Sequence, residues 1–261
     1  MQVTTVGLDL AKNIFQVHGV TETGEVAFNR PLRRAQVLAF FERLSPCLIG
    51  IEACASSHHW ARELSQLGHT VRLMPPMYVK PYVKRGKSDA IDAEAICEAV
   101  TRPTMRFVEI KSEEQQALLS LHRARDVIVR QSTQLINMVR SLVAEFGITI
   151  ARGVARAIEF ARSIIDGKQP ELPDLAKDVL RVLSRQLMDL HNRIDWFETM
   201  LRIQARLSRQ AQLLQTIPGV GPVTASAVAA TIGSGRQFRS GREFAAWLGL
   251  TPRNHSKPHA E

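Results

Sequence analysis

The sequence predicts an α/β fold: a mixed sheet carrying helices, then a long helical region, then a smaller helical C-terminal part. Three observations predict it. Short apolar runs alternate with helix-length segments up to Pro76, in the order βββαβαβ. A leucine-rich repeat spaced three and four residues apart runs from Leu180 to Leu201. A tight turn, Pro218-Gly219-Val220-Gly221, opens an alanine-rich stretch near the C-terminal end.

Val3 to Leu10, Ile14 to Val20 and Glu25 to Asn29 read as an antiparallel meander, with Thr23-Gly24 at its second turn. Arg34 to Leu44 has helical spacing, Cys47 to Ala53 is a strand, His58 to Leu67 a helix and Thr70 to Met74 a strand. A proline-broken basic segment leads to a helix that Ser88 caps. Residues 112 to 146 form a long helix with apolar positions Leu118, Leu121, Ile128, Leu135, Val139, Leu142 and Phe146. The two prolines of "DGKQPELPD", residues 166 to 174, mark a linker. Beyond it, Leu180, Leu183, Leu187, Leu190, Ile194, Phe197 and Leu201 make a coiled-coil seam. The seam fits a hairpin folded back on residues 112 to 146 and fits a homodimer equally well. Arg181, Arg185, Arg193, Arg202, Arg206 and Arg209 lie off it and predict a basic surface. The expected domains are 1–111, 112–210 and 211–261.

The 261 residues are 45% hydrophobic, enough for a proper core, and the formal net charge of +9 favours a polyanionic partner. Cys47, Cys54 and Cys97 lack metal-type spacing and read as small core hydrophobes. No secretory signal series and no bilayer-length apolar run is present, so the expectation is a cytoplasmic protein with no membrane partner.

The carboxylates carry the chemistry. With period two, Val6, Leu8 and Leu10 face one way and Thr5, Gly7 and Asp9 the other. "GIE" at Gly50 to Glu52 repeats "GLD" at Gly7 to Asp9. Each glycine removes a side chain on the acid's own face, which predicts room for a ligand. Two such carboxylates about 4 Å apart repel by about 4 kcal/mol at an effective dielectric near 20, so a cation is expected between them. In "SDAIDAEA", Asp89 and Asp92 share one face of a helix's first turn. Asp9, Glu52, Asp89 and Asp92 together can build an oxygen-rich site for Mg²⁺ or Mn²⁺, the hard cations of phosphoryl transfer.

Other segments suit nucleic acid. Lys80, Lys84, Arg85 and Lys87 surround Tyr78 and Tyr82, giving cations for phosphates and rings that stack on bases or pack on the fold. Gly219 and Gly221 precede a helix N-terminus, as in helix-hairpin-helix elements that hold a phosphate without reading bases. His58 and His59 follow "EACASS" and read as helix-start groups rather than catalysts.

A βββαβ meander with acids on its first and fourth strands resembles the ribonuclease H-like, RuvC-type nuclease fold. "GLDLAKNIFQVHGV", the run from "GIEACASSHHW" to "GKSDAIDAEAICEA", and "IPGVGPVTASAVAATIG" followed by "FAAWLGLTPR" together resemble the IS one-ten (IS110) insertion-sequence family, whose relatives include pilin-gene invertases. The resemblance covers essentially the whole chain. It implies a RuvC-like domain with Asp9, Glu52, Asp89 and Asp92 as catalytic metal ligands, a coiled coil and a C-terminal transposase domain. It implies a transposase or site-specific recombinase acting on element ends and target DNA, some members being guided by an element-encoded RNA. It also implies a serine nucleophile beyond "GLTPR", for which Ser256 is the candidate, although the following Lys257-Pro258-His259 departs from the family pattern. A C-terminally shortened transposase is therefore expected. The alternative is a non-catalytic nucleic-acid-binding fragment that competes with the full-length protein; an actin-like kinase is weaker, for want of a second glycine-rich phosphate motif.

Overall fold

The computed structural model describes residues 2–84, 88–168 and 171–250. Five strands, β1 (Val3–Asp9), β2 (Ile14–Thr21), β3 (Val26–Arg33), β4 (Leu48–Glu52) and β5 (Thr70–Met74), form one mixed sheet in the order β3-β2-β1-β4-β5. β1, β2 and β3 are the antiparallel meander; β4 and β5 join in parallel. Parallel neighbours need crossovers. These are α1 (Val37–Phe41) and α2 (Ser57–Gln66).

The alternation of β1 and β4 decides what each face holds. Val6, Leu8, Ile49 and Ile51 are fully buried with Phe15, Phe41, Trp60 and Leu64 in the core beneath α1 and α2. The opposite face carries the small positions Gly7 and Gly50, and α4 (Asp89–Val100) lies across them. Between β5 and α4 come α3 (Pro76–Val79) and a 3-10 turn (Lys80–Tyr82). Cys47 and Cys97 are buried as expected, and burial pushes their thiols up to about 11 and about 12. Cys54 departs from that reading, because it sits in the exposed turn after β4.

The chain divides into two compact units. One comprises Met1–Ser112 and the segment from Ser234 onward, including α10 (Gly241–Trp247); the other is Glu113–Gly233. The second unit is helical: α5 (Glu113–Ala144), α6 (Val154–Ile165), α7 (Asp174–Leu207), α8 (Arg209–Leu214) and α9 (Pro222–Ile232). Among the described residues, no helix is long and apolar enough to cross a membrane.

The leucine seam of α7 faces inward in this unit. Leu187 and Leu190 pack with Leu135, Ile136, Ala157, Ile158 and Ala161, and Leu180 packs with Val139, Val143 and Ile164. α5 and α6 cover these seam positions, as the reading of a hairpin folded back on residues 112 to 146 expects. The basic surface of α7 is also weaker than its arginines suggest. Arg181, Arg193 and Arg202 pair with Asp178, Asp189 and Glu198, each within one helical turn.

Candidate metal centre

Parallel pairing of β1 with β4 aligns Leu8 with Ile51 and leaves Asp9 and Glu52 next in line at the strand ends. Both project on the face that α4 crosses. Helix α4 begins where the Ser88 side chain accepts a hydrogen bond from the Ile91 amide, and its first turn carries Asp89 and Asp92. The helix can reach the acids because nothing stands between it and the sheet. A Cβ on Gly7 would lie 2.0 Å from the Ala93 carbonyl oxygen and 2.5 Å from the Cys97 amide nitrogen. One on Gly50 would lie 2.7 Å from Val100 Cβ. The glycines therefore admit a helix rather than a ligand, which corrects the sequence reading of the space beside each acid.

The result is a carboxylate cluster. Asp9, Asp89 and Asp92 each offer an oxygen, and the three oxygens lie within 4.8 Å of one another. Asp9 and Asp92 are half-buried and Asp89 is exposed. Burial, then the charges of Asp92, Asp89 and Glu52, push Asp9 up to about 6, against the opposing hydrogen bond from the Leu10 amide. Burial, then Asp92, also raises Glu52. Glu52 stands beside the trio, at the wall of a groove of about 280 Å³ lined by Pro76, Met77, Lys80 and Val83. Asp9 and Glu52, both half-buried and both raised by neighbouring carboxylates, make a site short of positive charge, and a hard divalent cation with oxygen ligands supplies it.

The basic and aromatic residues are less uniform than the sequence suggests. Lys80 is exposed and shares the groove with Glu52. Lys84 is paired with Glu94 of α4, which raises its ammonium pKa. Tyr78 is exposed, whereas Tyr82 packs against α4 with the Arg102 guanidinium 5.7 Å from its ring centroid. Arg85, Lys87 and Ser256 lie outside the described residues. Gly219 has φ +85°, a conformation that requires glycine, and Gly221 is the N-cap of α9. Both are exposed, with open space where a Cβ would stand. His58 Nδ1 accepts from the Lys111 amide at 3.2 Å, and His59 lies beside Glu63 on the surface of α2. Sequence reasoning missed Gln16, which the β1–β2 register sets opposite Asp9 and whose amide donates to Asn29 Oδ1 at 2.6 Å. The period of β2 was the available signal.

Residues 6–148 match a DEDD-type IS110 transposase model, and residues 211–256 match a model described as the IS116/IS110/IS902 transposase family. The chain belongs to the IS110 transposase family. It is 51% identical over 98% of its length to a Pseudomonas aeruginosa protein called "Probable family 20 transposase", covering 76% of that relative. It is 40% identical over 97% of its length to the transposase of IS1328 from Yersinia enterocolitica, covering 75% of it. Against the transposase of IS1111A from Coxiella burnetii it is 38% identical over 99% of its length, covering 71% of that protein. Across four of the relatives it matches, this IS110 transposase spans 65% to 76% of the relatives' lengths. Membership implies DNA substrates, and a DEDD-type domain implies use of a divalent metal ion.

Proposed function

We propose that this IS110 transposase carries out metal-dependent phosphodiester strand exchange between element ends and target DNA. The observation that carries the reading is the convergence of Asp9, Asp89 and Asp92 within 4.8 Å on elements far apart in sequence. Asp9, Asp89 and Asp92 would hold Mg²⁺ or Mn²⁺, with Glu52 as the fourth acid. A divalent cation so bound supplies Lewis-acid stabilisation of charge on the phosphodiester oxygens. Lys80 lines the same groove as Glu52, and its ammonium can hold a DNA phosphate. The exposed Gly219–Gly221 turn offers backbone to a second phosphate at the start of α9. By family resemblance the covalent step falls to a serine, Ser256 in this chain. Its Oγ bonds to phosphorus as the P–O3′ bond breaks, the 3′ oxygen leaves and takes up a proton, and a 3′ hydroxyl later reverses the step. An element-encoded RNA is the proposed guide.

Covalent trapping tests the reading. Purified protein is incubated with DNA carrying element ends, the element's noncoding RNA and magnesium, and a protein–DNA adduct is sought on a denaturing gel. The adduct is expected with the natural sequence and lost in both Asp9→Ala and Ser256→Ala. An adduct retained by a folded Asp9→Ala protein removes the acids from the mechanism. Steeply salt-dependent DNA binding with no adduct under any condition replaces the reading with a non-catalytic competitor of longer transposases.

A further inference from the structure

Phe15 and Val17 of β2 turn into the core beneath α1 and α2, so Gln16 between them turns to the face that α4 crosses and the carboxylates share. The β1–β2 register sets it directly opposite Asp9. Opposed antiparallel residues on one face carry Cβ atoms about 5 Å apart. Gln16 is only 8% exposed. A glutamine amide has two hydrogens to donate and an oxygen that accepts, and burying it with that capacity unused is costly where a leucine would pack freely. Its nitrogen is spoken for: Nε2 donates diagonally to Asn29 Oδ1 on the edge strand β3 at 2.6 Å. Its oxygen, among the described residues, accepts no hydrogen bond. Nor does the amide donate to Asp9, whose pKa-lowering hydrogen bond comes from Leu10. Asn29 thus draws the nitrogen toward β3 and leaves a bare acceptor beside a group of acids. An oxygen in that position gains nothing from the carboxylates; it gains when a donor or a positive charge arrives.

We propose that Gln16 is a positioning residue of the metal centre: with its nitrogen held by Asn29, its amide oxygen accepts a hydrogen bond from water carried by the divalent cation. The inference rests on the metal site proposed above. Asp9, Asp89 and Asp92 offer three oxygens within 4.8 Å of one another. A small hard cation such as Mg²⁺ demands octahedral coordination and keeps several waters, whose hydrogens need acceptors. On the β2 side of Asp9, Gln16 is the group in place to supply one. A neutral oxygen does so without adding another negative charge to the four acids, and Asn29 fixes it there before the cation enters. Partners of this kind, one step out from the ligands, set the orientation of what the metal holds.

The test titrates Mn²⁺ into the full-length protein by electron paramagnetic resonance, with circular dichroism to confirm the fold of each variant. Gln16→Leu, which keeps the bulk and removes the acceptor, should weaken Mn²⁺ binding roughly tenfold. Gln16→Glu keeps an oxygen acceptor but cannot donate to Asn29, and it should bind Mn²⁺ at least as tightly as the natural protein. Asn29→Ala, on the exposed edge strand, should weaken binding by a smaller factor, because Gln16 keeps its oxygen and loses its orientation. Electron–nuclear double resonance in H₂O against D₂O reads the contact itself: the couplings of the exchangeable protons on Mn²⁺-bound water should change in Gln16→Leu. Natural affinity and unchanged couplings in Gln16→Leu overturn the proposal. So does a Gln16→Glu protein weakened as much as Gln16→Leu, which would make the bond to Asn29 a brace between β2 and β3. Asp9→Asn separates the two readings. If it loses Mn²⁺ while Gln16→Leu keeps it, the role of Gln16 falls alone; if both bind Mn²⁺ as the natural protein does, the metal site falls with it.

Discussion

Replacing Gly7 with alanine should destabilise the sheet unit by about 3 kcal/mol, a large effect for one methyl group. The reason is what the methyl would meet. At 2.0 Å from the Ala93 carbonyl oxygen and 2.5 Å from the Cys97 amide nitrogen, it collides with backbone that cannot rotate away. Helix α4 must lift off the sheet as a body, leaving Ile96 and Cys97 less buried and carrying Asp89 and Asp92 away from Asp9. Gly50→Ala should cost less, about 1 to 2 kcal/mol, because its closest contact is the Val100 side chain and the nearest backbone atom, Ile96 O, is 3.1 Å away. Thermal unfolding of both variants checks the order. NMR titration of Asp9 checks the consequence: its pKa should fall back toward the ordinary carboxylate range in Gly7→Ala. Equal stability of the natural protein and Gly7→Ala would show that α4 does not rest on that glycine.

Asp9→Asn should abolish strand exchange and yet make the metal-free protein more stable at neutral pH. The folded chain holds Asp9 near 6 against an ordinary value of 3.8. Between those values the folded state binds more protons than the unfolded one, so stability falls as pH rises through that window. Below about pH 4 both states are protonated and the group costs nothing. Above about pH 6 the penalty is complete, on the order of 1 kcal/mol once solvent screening of a half-exposed carboxylate is allowed for. Asparagine keeps the shape without the charge. In chelator-treated protein the variant should therefore melt higher at pH 7.5 and no differently at pH 4. A variant less stable at both pH values would mean that Asp9 serves the fold and not a site.

The strands, the order of the acids and the start of α4 were legible because each is local. Alternation along "VGLDL" and "LIGIE" places Asp9 and Glu52 on one face, and Ser88 marks the helix that carries Asp89 and Asp92. What crosses that face was not legible. A glycine beside a carboxylate reads the same whether a ligand or a helix approaches it, and only packing at long range decides. The leucine seam left its partner open for a related reason: a heptad repeat reads the same whether it packs within the chain or between chains, and its packing on α5 and α6 is long-range. Lys84 read as free for phosphate because its partner, Glu94, is one of several acids on the following helix.

The central claim is that the four acids are a divalent metal site, and titration of Mn²⁺ followed by electron paramagnetic resonance tests it most directly. The natural protein should bind Mn²⁺ saturably at pH 7.5 and be stabilised by it. Asp9→Asn and Asp92→Asn should each weaken binding by roughly tenfold or more, since even groups that merely orient metal ligands are worth that much. Glu52→Gln should weaken it less, because Glu52 stands outside the closest trio. Mn²⁺ affinity that is unchanged in folded Asp9→Asn and Asp92→Asn proteins would contradict the account.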